Sequence, residues 1–255
     1  MILDDIVATK REEVAEHKRL RPLEELRGHL FYGEPRRGFA TALGRGGRAI
    51  IAEVKKASPS RGVIRPDFDP VSIARELEAN GARTLSVLTD APFFQGSLAY
   101  LTEIRRVVSL PLLRKDFTID EYQIHEARAF GADAVLLIVA ILDDDRLRGF
   151  QQTSRDLGLD ALVEVHTRDE LDRALAAGAT LVGVNNRDLR TFVTRLEVTE
   201  ELAPHVPAGV TLVAESGFRT RDEIARLEGA GARAFLVGES LMAASAPGEA
   251  LRALL

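Results

Sequence analysis

Eight short apolar runs, separated by amphipathic stretches, constrain the fold of this chain more than any other feature of its sequence. They begin after about residue 48, are rich in valine, isoleucine and leucine, and are joined with almost no long linkers. This alternation is typical of a parallel sheet covered by helices. The runs that we predict as strands are AIIAEV from Ala49, TLSVLTD from Thr84, LPLLRK from Leu110, AVLLIVA from Ala134, ALVEV from Ala161, LVGVNN from Leu181, TLVAES from Thr211 and AFLVGE from Ala234.

The stretches between the runs predict helices, several of which open on acidic residues and close on glycine, as helix capping favours. Examples are VSIARELEANG, SLAYLTEIRRVV, EYQIHEARAFGA, RDELDRALAAGA and TRDEIARLEGAGA. Eight strand and helix pairs in roughly 200 residues match an α/β fold of one kind, the (β/α)8 TIM barrel. An open doubly wound sheet is the alternative, although no GxGxxG motif follows the first strand.

An internal repeat favours the closed barrel over the open sheet. A Gly-Ala pair precedes the second, fourth, sixth and eighth predicted strands, and we interpret it as the mark of a two-strand, two-helix unit that recurs about four times. A common helix stop would explain the glycine but not its restriction to alternate units. The pairs are Gly81-Ala82, Gly131-Ala132, Gly178-Ala179 and Gly231-Ala232.

The first 48 residues lie outside this alternation. The segment ILDDIVATKREEVAEHKRL predicts an amphipathic helix, Pro22 opens a second short helix, and the loop GRGGR leads into the first strand. We predict one barrel domain over residues 1–255, with residues 1–48 as a helical extension packed across the barrel. Two small domains are possible at this length but are not required.

The composition excludes several classes of protein. Without cysteine, the chain has no disulfide, thiolate zinc site or cysteine nucleophile. A net charge of -5 with no basic run argues against nucleic acid as a partner. The histidines lack the short spacings of a metal site, and we interpret each as a surface or packing residue. They are His17, His29, His125, His166 and His205.

The N-terminus and the hydropathy pattern bear on location. The N-terminus carries acidic residues where a signal peptide needs basic ones, and no apolar run approaches the roughly 18 to 20 residues of a membrane span. We therefore expect a cytoplasmic protein with no membrane partner. We also expect the protein to be a monomer or a weak homo-oligomer.

Lysine is scarce in this chain, since only five of its 34 basic side chains are lysine. Three of the five lie in two short segments, AEVKKASPSRG and LLRKDF. Arginine stays protonated in proteins, whereas a buried lysine can exchange a proton. The pattern indicates proton chemistry in these two segments.

Charged residues fall at the carboxyl ends of the odd-numbered strands, where a barrel places its active site. Glu53 and Lys55 end the first strand, Lys115 the third, Glu164 the fifth and Glu215 the seventh. Side chains of one layer come from alternate strands, so we expect these five to face each other. Partly buried charges are costly unless they are paired or used, which favours a functional role over solvated strand ends.

The even strands and the last two loops indicate an anion site. Asn185 ends the sixth strand and could orient a hydroxyl or carboxylate, and Arg187 could pair with an acid, unless either only caps the next loop. Ser216-Gly217 and Gly238-Glu239 follow the last two strands, where barrels commonly place backbone N–H groups against a phosphate. With the hydroxyl of Ser58 beside them, they predict a phosphorylated small-molecule substrate.

Seven motifs in order give the chain a resemblance to the indole-3-glycerol-phosphate synthases of tryptophan biosynthesis. The resemblance covers nearly the whole chain, including the helical extension. The motifs are EVKKASPSRGVIRPDFDP from Glu53, LSVLTDAPFFQGS from Leu85, LLRKDF from Leu112, LVEVHT from Leu162, GVNNRDL from Gly183, AESGF from Ala214 and FLVGESLM from Phe235.

The resemblance implies ring closure of 1-(2-carboxyphenylamino)-1-deoxyribulose 5-phosphate to indole-3-glycerol phosphate, with loss of carbon dioxide and water and without metal or organic cofactor. It makes Lys115 the general acid that protonates the developing alkoxide. It assigns to Glu164 the second acid or base, which the loss of a hydroxyl and a ring proton requires. Glu53 and Lys55 are implied to hold each other and the substrate, with Lys55 near its carboxylate and sharing in dehydration.

The same resemblance places the remaining site residues around the substrate. Asn185 and Glu215 are implied to bind the sugar hydroxyls and to hold the charge network, and Arg187 to join this polar shell. Phe94 and Phe117 are implied to pack beside the anthranilate ring. The phosphate is implied to be held by Ser58, Ser216, Gly217, Gly238 and the backbone N–H of Glu239. Position 239 is glutamate where some relatives have a small residue, so its charge is expected to point away from the phosphate.

Two other interpretations stay open at this point. Phosphoribosylanthranilate isomerase or a related sugar-phosphate isomerase would share the glycine loops, but not EVKKASPS, LRKDF and the N-terminal extension together. A noncatalytic barrel acting as a scaffold or ligand-binding subunit would leave the lysines and glutamates free to become apolar or arginine, and they have not.

Overall fold

A computed structural model describes residues 2–188 and 191–255, and its strands form a closed parallel barrel with one small hairpin. The hairpin pairs β2 with β3, and the other eight strands close in chain order, with β1 pairing β10. This confirms the TIM barrel and excludes the open doubly wound sheet. The strands are β1 (Ala49–Val54), β2 (Ala57–Ser58), β3 (Gly62–Val63), β4 (Thr84–Leu88), β5 (Leu112–Lys115), β6 (Ala134–Ile138), β7 (Asp160–Val165), β8 (Leu181–Asn185), β9 (Thr211–Glu215) and β10 (Ala234–Val237).

Helices precede the barrel and follow its strands, and within the described ranges none is long and apolar enough to cross a membrane. Short 3-10 turns occupy Val139–Ile141 and Ala203–His205. The helices are α1 (Ile2–Leu20), α2 (Leu23–Arg27), α3 (Phe39–Leu43), α4 (Pro70–Ala79), α5 (Ala91–Phe94), α6 (Ala99–Arg105), α7 (Glu121–Phe130), α8 (Asp144–Asp156), α9 (Arg168–Ala176), α10 (Glu197–Leu202), α11 (Arg221–Ala230), α12 (Glu239–Ala243) and α13 (Pro247–Leu254).

The alternation of side chains along each strand decides which residues reach the active-site end of the barrel. Successive side chains point to opposite faces of a strand, so residues two apart share a face. Ile51, Leu113, Leu162 and Val213 belong to the buried cluster inside the barrel, while their neighbours pack outward against the helices. Two residues later on the same inward face come Glu53, Lys115, Glu164 and Glu215. The period of two thus places four charges in one layer above the apolar interior.

Helix α1 is joined to the barrel by the buried side chain of Lys10. Its ammonium, 1% exposed, lies 3.0 Å from Oδ2 of Asp90 and 2.9 Å from Oδ1 of Asp116. Asp116 also accepts hydrogen bonds from Thr89 and Arg114. Burial opposes the charge on Lys10, but Asp116 and Asp90 outweigh it and raise the pKa of the ammonium. A lysine that the sequence left without a role therefore fixes the N-terminal helix.

Replacing Lys10 with methionine is expected to lower the free energy of unfolding by about 3 to 5 kcal/mol, because it leaves the buried carboxylate of Asp90 without the cation that Lys10 supplies. Urea denaturation measures the loss. Lys18→Met is the matched control on the same helix, since Lys18 pairs with Asp120 at 2.7 Å with side chains that are 47% and 34% exposed, and solvent-accessible pairs contribute about 0 to 1 kcal/mol. Equal losses in the two variants would contradict a special role for Lys10.

Candidate active site

A cavity of about 470 Å³ opens at the carboxyl ends of the barrel strands. Helix α1 covers one side of it with Ile2, Leu3 and Ile6, and every site residue named from the sequence lines it. These residues are Glu53, Lys55, Ser58, Phe94, Lys115, Phe117, Glu164, Asn185, Arg187, Glu215, Ser216, Gly217, Gly238 and Glu239. The structure thus brings together side chains from most of the barrel strands.

Lys115 lies at the centre of the polar side of this cavity, between two glutamates. Its Nζ donates hydrogen bonds to Oε2 of Glu164 at 2.8 Å and to Oε2 of Glu215 at 3.1 Å. Burial opposes the charge of Lys115, but the carboxylates of Glu164 and Glu215 outweigh it and raise the pKa of the ammonium above its ordinary value. Lys115 is therefore a cation at neutral pH.

The two glutamates around Lys115 differ in their ionisation. Burial favours the neutral form of Glu164, but Lys115, His166 and a hydrogen bond with Asn185 outweigh it and lower its pKa. Burial raises the pKa of Glu215 to about 7, because the attraction of Lys115 does not offset desolvation and the nearby charge of Glu164 adds to it. The site therefore combines a cation, a carboxylate and a carboxyl group whose pKa is raised by burial.

Glu53 and Lys55 form a second ion pair at the end of β1. Nζ of Lys55 lies 2.5 Å from Oε1 of Glu53, and the side chains are 10% and 4% exposed. The pairing places a further ammonium beside the cluster of Lys115, Glu164 and Glu215, where it can meet an anionic group of a ligand.

Two glycines in the barrel wall leave the space that the carboxylates occupy. A Cβ atom on Gly183 of β8 would overlap Oε1 of Glu215, and a Cβ on Gly238 would overlap Oε1 of Glu53. Neither glycine has the positive φ that favours glycine on backbone grounds. Both are therefore required by the close approach of a charged side chain from the neighbouring strand.

The loops after β9 and β10 form the end of the cavity opposite the apolar wall. Ser216 and Gly217 have left-handed backbones, with φ of 68° and 94°. A Cβ on Gly217 would also overlap the Thr194 side chain, so the loop is tightly packed. Ser58, which is 4% exposed, lines the same cavity as the glycine loops. The cavity lining here includes Ser216, Gly217, Gly238 and Ser240 together with Phe218 and Arg219.

Glu239, at the start of α12, forms ion pairs with two arginines at the rim of the cavity. Its carboxylate accepts hydrogen bonds from Nη2 of Arg187 at 2.8 Å and Nε of Arg61 at 2.9 Å. Burial opposes its charge, but Arg187 and Arg61 outweigh burial and lower the pKa of the carboxyl group. Arg187, which the sequence suggested for the polar shell, is therefore held at the rim by residue 239.

An apolar wall faces the ion cluster. The rings of Phe94 and Phe117 lie 6.1 Å apart between centroids with an interplanar angle of 40°. They belong to the same hydrophobic cluster as the side chains of Ile2, Leu3 and Ile6 from α1. Such a surface suits an aromatic ring of a ligand.

Sequence reasoning missed three groups at the site. The segment of α1 was predicted to be a helix, but nothing in the spacing of its side chains showed that they reach the cavity. Arg61 and Arg219 join the Glu239 rim through contacts between distant loops. His166, interpreted as a surface or packing residue, lies with Nε2 3.6 Å from Oε1 of Glu164; the motif LVEVHT was the available signal. Leu189, the last residue of GVNNRDL, lies outside the described residues.

The arrangement can bind an anion at one end, an aromatic ring at the other, and transfer protons between them. A lysine ammonium held by two carboxylates can protonate an oxygen that becomes basic during a reaction. A neighbouring carboxylate can then take or supply a second proton.

Comparison with known proteins agrees with this chemistry. A family model described as indole-3-glycerol phosphate synthase matches residues 3–254. A protein named indole-3-glycerol phosphate synthase from Acidithiobacillus ferrooxidans is 51% identical over 257 residues, covering 99% of this chain and 98% of the relative. A protein of the same name from Laribacter hongkongensis is 51% identical over 255 residues, covering 98% of this chain and 97% of the relative.

Solved structures of lower identity share the fold. A 3-hexulose-6-phosphate synthase has a TM-score of 0.63 at 16% identity, covering 81% of this chain and 97% of that one. A thiamine phosphate pyrophosphorylase from Pyrococcus furiosus has a TM-score of 0.61 at 17% identity, covering 81% and 93%. These likenesses show the barrel alone.

Proposed function

The chain belongs to the indole-3-glycerol phosphate synthase family, and on that basis we propose how the residues of its barrel mouth divide the work of the reaction. It is a decarboxylating lyase of tryptophan biosynthesis that acts on a small phosphorylated substrate. The reaction closes the ring of 1-(2-carboxyphenylamino)-1-deoxyribulose 5-phosphate to give indole-3-glycerol phosphate, carbon dioxide and water. The observation that carries our assignment of roles is the position of Lys115 between Glu164 and Glu215.

The two ends of the cavity orient the substrate. The loops of Ser216, Gly217, Gly238 and Glu239, together with Ser58, hold the phosphate, with Glu239 contributing its backbone N–H. Phe94 and Phe117 pack against the anthranilate ring, and Lys55 lies near its carboxylate. The support is the placement of small residues at one end of the cavity and apolar side chains at the other.

Lys115 acts in the first step as the general acid. The ring carbon that carries the carboxylate attacks the ketone carbon, a carbon–carbon bond forms, and the ketone oxygen takes the proton of Lys115. Loss of carbon dioxide then returns its bonding electrons to the ring. An alkoxide is a stronger base than an amine, so Lys115 can donate in this step although the carboxylates raise its pKa.

Glu164 acts in the second step, where water leaves. The new hydroxyl departs with a proton, and the carbon between the hydroxyl-bearing carbon and nitrogen loses a proton to form the indole double bond. As an ionised carboxylate that reaches both the cavity and Lys115, Glu164 takes the proton of this carbon, and it supplies the proton of the departing hydroxyl once it has itself been protonated. Asn185 and Glu215 bind sugar hydroxyls, and Glu53 holds Lys55.

The purified protein is expected to convert the carboxyphenylamino sugar phosphate to indole-3-glycerol phosphate, because the acid, the ring wall and the phosphate end are assembled in one cavity. Growth of indole fluorescence measures the product. Absence of product, together with turnover of phosphoribosylanthranilate, would instead favour the isomerase.

Other properties stay predictions. We propose that residues 1–48 belong to one domain with the barrel, supported by the burial of Lys10 between Asp90 and Asp116. A cytoplasmic location, the absence of a nucleic acid partner, and a monomeric or weakly homo-oligomeric state also stay predictions.

A further inference from the structure

His166 lies behind Glu164, on the side away from Lys115. Its Nε2 is 3.6 Å from Oε1 of Glu164, and Lys115 bonds the other oxygen, Oε2, at 2.8 Å. Its Nδ1 is 3.2 Å from Oε2 of Glu170 at the start of α9. The same Glu170 oxygen accepts the backbone N–H of His166 at 2.7 Å. The Glu164 carboxylate therefore bridges an imidazole and the central lysine.

The orientation of the imidazole follows from its two neighbours. A carboxylate only accepts hydrogen bonds, so Nδ1 must carry the proton that it shares with Glu170. Nε2 is buried and, among the residues that the structure describes, makes no hydrogen bond. If Nε2 carries a proton, its positive N–H points toward the Glu164 carboxylate, and the two groups attract each other. If Nε2 carries no proton, its lone pair faces that carboxylate, and the two groups repel each other. The geometry favours the doubly protonated ring.

The reaction consumes a proton in every turnover. The substrate enters with an ionised carboxylate, and that group leaves as neutral carbon dioxide. Lys115 gives one proton to the ketone oxygen, the departing hydroxyl takes a second, and the carbon beside nitrogen returns one. The site is therefore one proton short when the products form, and the side chains of Glu164 and Glu215, 2% and 1% exposed, have little direct access to solvent.

We propose that His166 stores and supplies this proton, acting through Glu164 without touching the substrate. Nε2 gives its proton to Oε1 of Glu164 and becomes a neutral nitrogen, and the protonated Glu164 gives a proton to the departing hydroxyl. The Glu164 carboxylate then takes the proton of the carbon beside nitrogen and passes it from Oε2 to the amine of Lys115, which becomes an ammonium again. Nδ1 keeps its proton on Glu170. A solvent proton then restores the imidazolium after the products have left. This role rests on the proposed functions of Lys115 and Glu164.

The charges around His166 support the stored proton. Burial opposes a charge on the ring, but Glu170 through its hydrogen bond, Glu164, and Glu215 from β9 outweigh it and raise the pKa of the imidazole above 6.5. The His166 and Glu170 side chains are 14% and 18% exposed, so both reach the surface from a buried cluster. The pair thus connects Glu164 with solvent.

His166→Gln is expected to lower kcat by about 10- to 100-fold with little change in KM, since it removes a proton donor but no substrate contact. In the parent protein, kcat is expected to fall as pH rises through the raised pKa of His166, because the imidazolium is lost. In His166→Gln this fall is expected to disappear, since glutamine has no proton to lose in that range. The control is His205→Ala, because His205 is exposed and is not among the residues that line the cavity.

His166→Ala adds a readout that a purely structural role would not move. Added imidazole is expected to restore part of its kcat, with more rescue at pH values where imidazole is protonated. Glu170→Gln is expected to shift the alkaline fall of kcat to lower pH, because the partner that favours the imidazolium loses its charge. Thermal unfolding of each variant checks that the barrel remains folded.

The outcomes separate this proposal from the function on which it rests. A folded His166→Gln with the kcat and pH profile of the parent protein overturns the proposal, and points to Glu215 as the store of the proton. Failure of imidazole to rescue His166→Ala while His166→Gln keeps the alkaline fall also overturns it. If the parent protein forms no indole product, the proposed function itself has failed.

Discussion

Lys115→Met is expected to lower turnover by about 10²- to 10⁴-fold, the contribution of a positioned general acid. Methionine keeps much of the length of the lysine side chain but cannot protonate the ketone oxygen. Substrate binding is expected to change little, because the phosphate loops and the aromatic wall lie at the two ends of the cavity and stay intact. Indole fluorescence measures turnover, and calorimetric titration with substrate measures binding.

The variant is expected to stay folded, because Glu164 and Glu215 can share a proton once the cation between them is gone. Lys56→Met is the matched control: it removes a lysine from the other lysine-containing motif, EVKKASPSRG, beside Lys55, but Lys56 is not among the residues that line the cavity. Its turnover should equal that of the parent protein. Normal growth of indole fluorescence from Lys115→Met would remove Lys115 from the role of general acid.

The barrel could be predicted from the sequence because its signal is local. All eight predicted runs are strands, and their first residues lie within two positions of the observed starts. Apolar runs between amphipathic stretches report burial on both faces of each strand, which does not depend on distant contacts. The hairpin of β2 and β3 and the helix α3 were not predicted, since segments this short have little periodicity to detect.

The polar layer of the site could also be predicted, because the period of two along each strand fixes which residues face inward. Glu53, Lys115, Glu164 and Glu215 followed from strand ends and parity alone. Contacts between distant segments could not be predicted in this way. The insertion of Lys10 between Asp90 and Asp116 joins α1 to two loops, and its partners lie about 80 and 106 positions away along the chain.

His166 shows a second limit of sequence reasoning. Histidine carries no fixed role, and its spacing from other histidines excluded a metal site without indicating any other function. What gives His166 a role is the direction of its two nitrogens toward Glu164 and Glu170, which only side-chain geometry shows.

Gly183→Ala is expected to reduce turnover by about 10²-fold, because small displacements of positioned groups have effects of that size. The added methyl group would overlap Oε1 of Glu215 and lie 3.2 Å from Leu162 in the barrel interior. Glu215 cannot move freely, since its other oxygen accepts a hydrogen bond from Lys115. Overpacking of this kind is also expected to cost about 1 to 3 kcal/mol of stability. Indole fluorescence and urea denaturation measure the two effects.

Two further variants test the cause. Gly149→Ala, on an exposed turn of α8 where a Cβ meets nothing within 4 Å, is expected to keep full turnover and to gain up to about 1 kcal/mol from helix propensity. Adding Glu215→Ala to Gly183→Ala removes the overlap, so stability should recover while turnover does not. A cycle of the single and double variants isolates this coupling. If Gly183→Ala keeps both the turnover and the stability of the parent protein, then Glu215 does not occupy the space beside Gly183. The positions of the carboxylates that contact Lys115 must then be assigned differently.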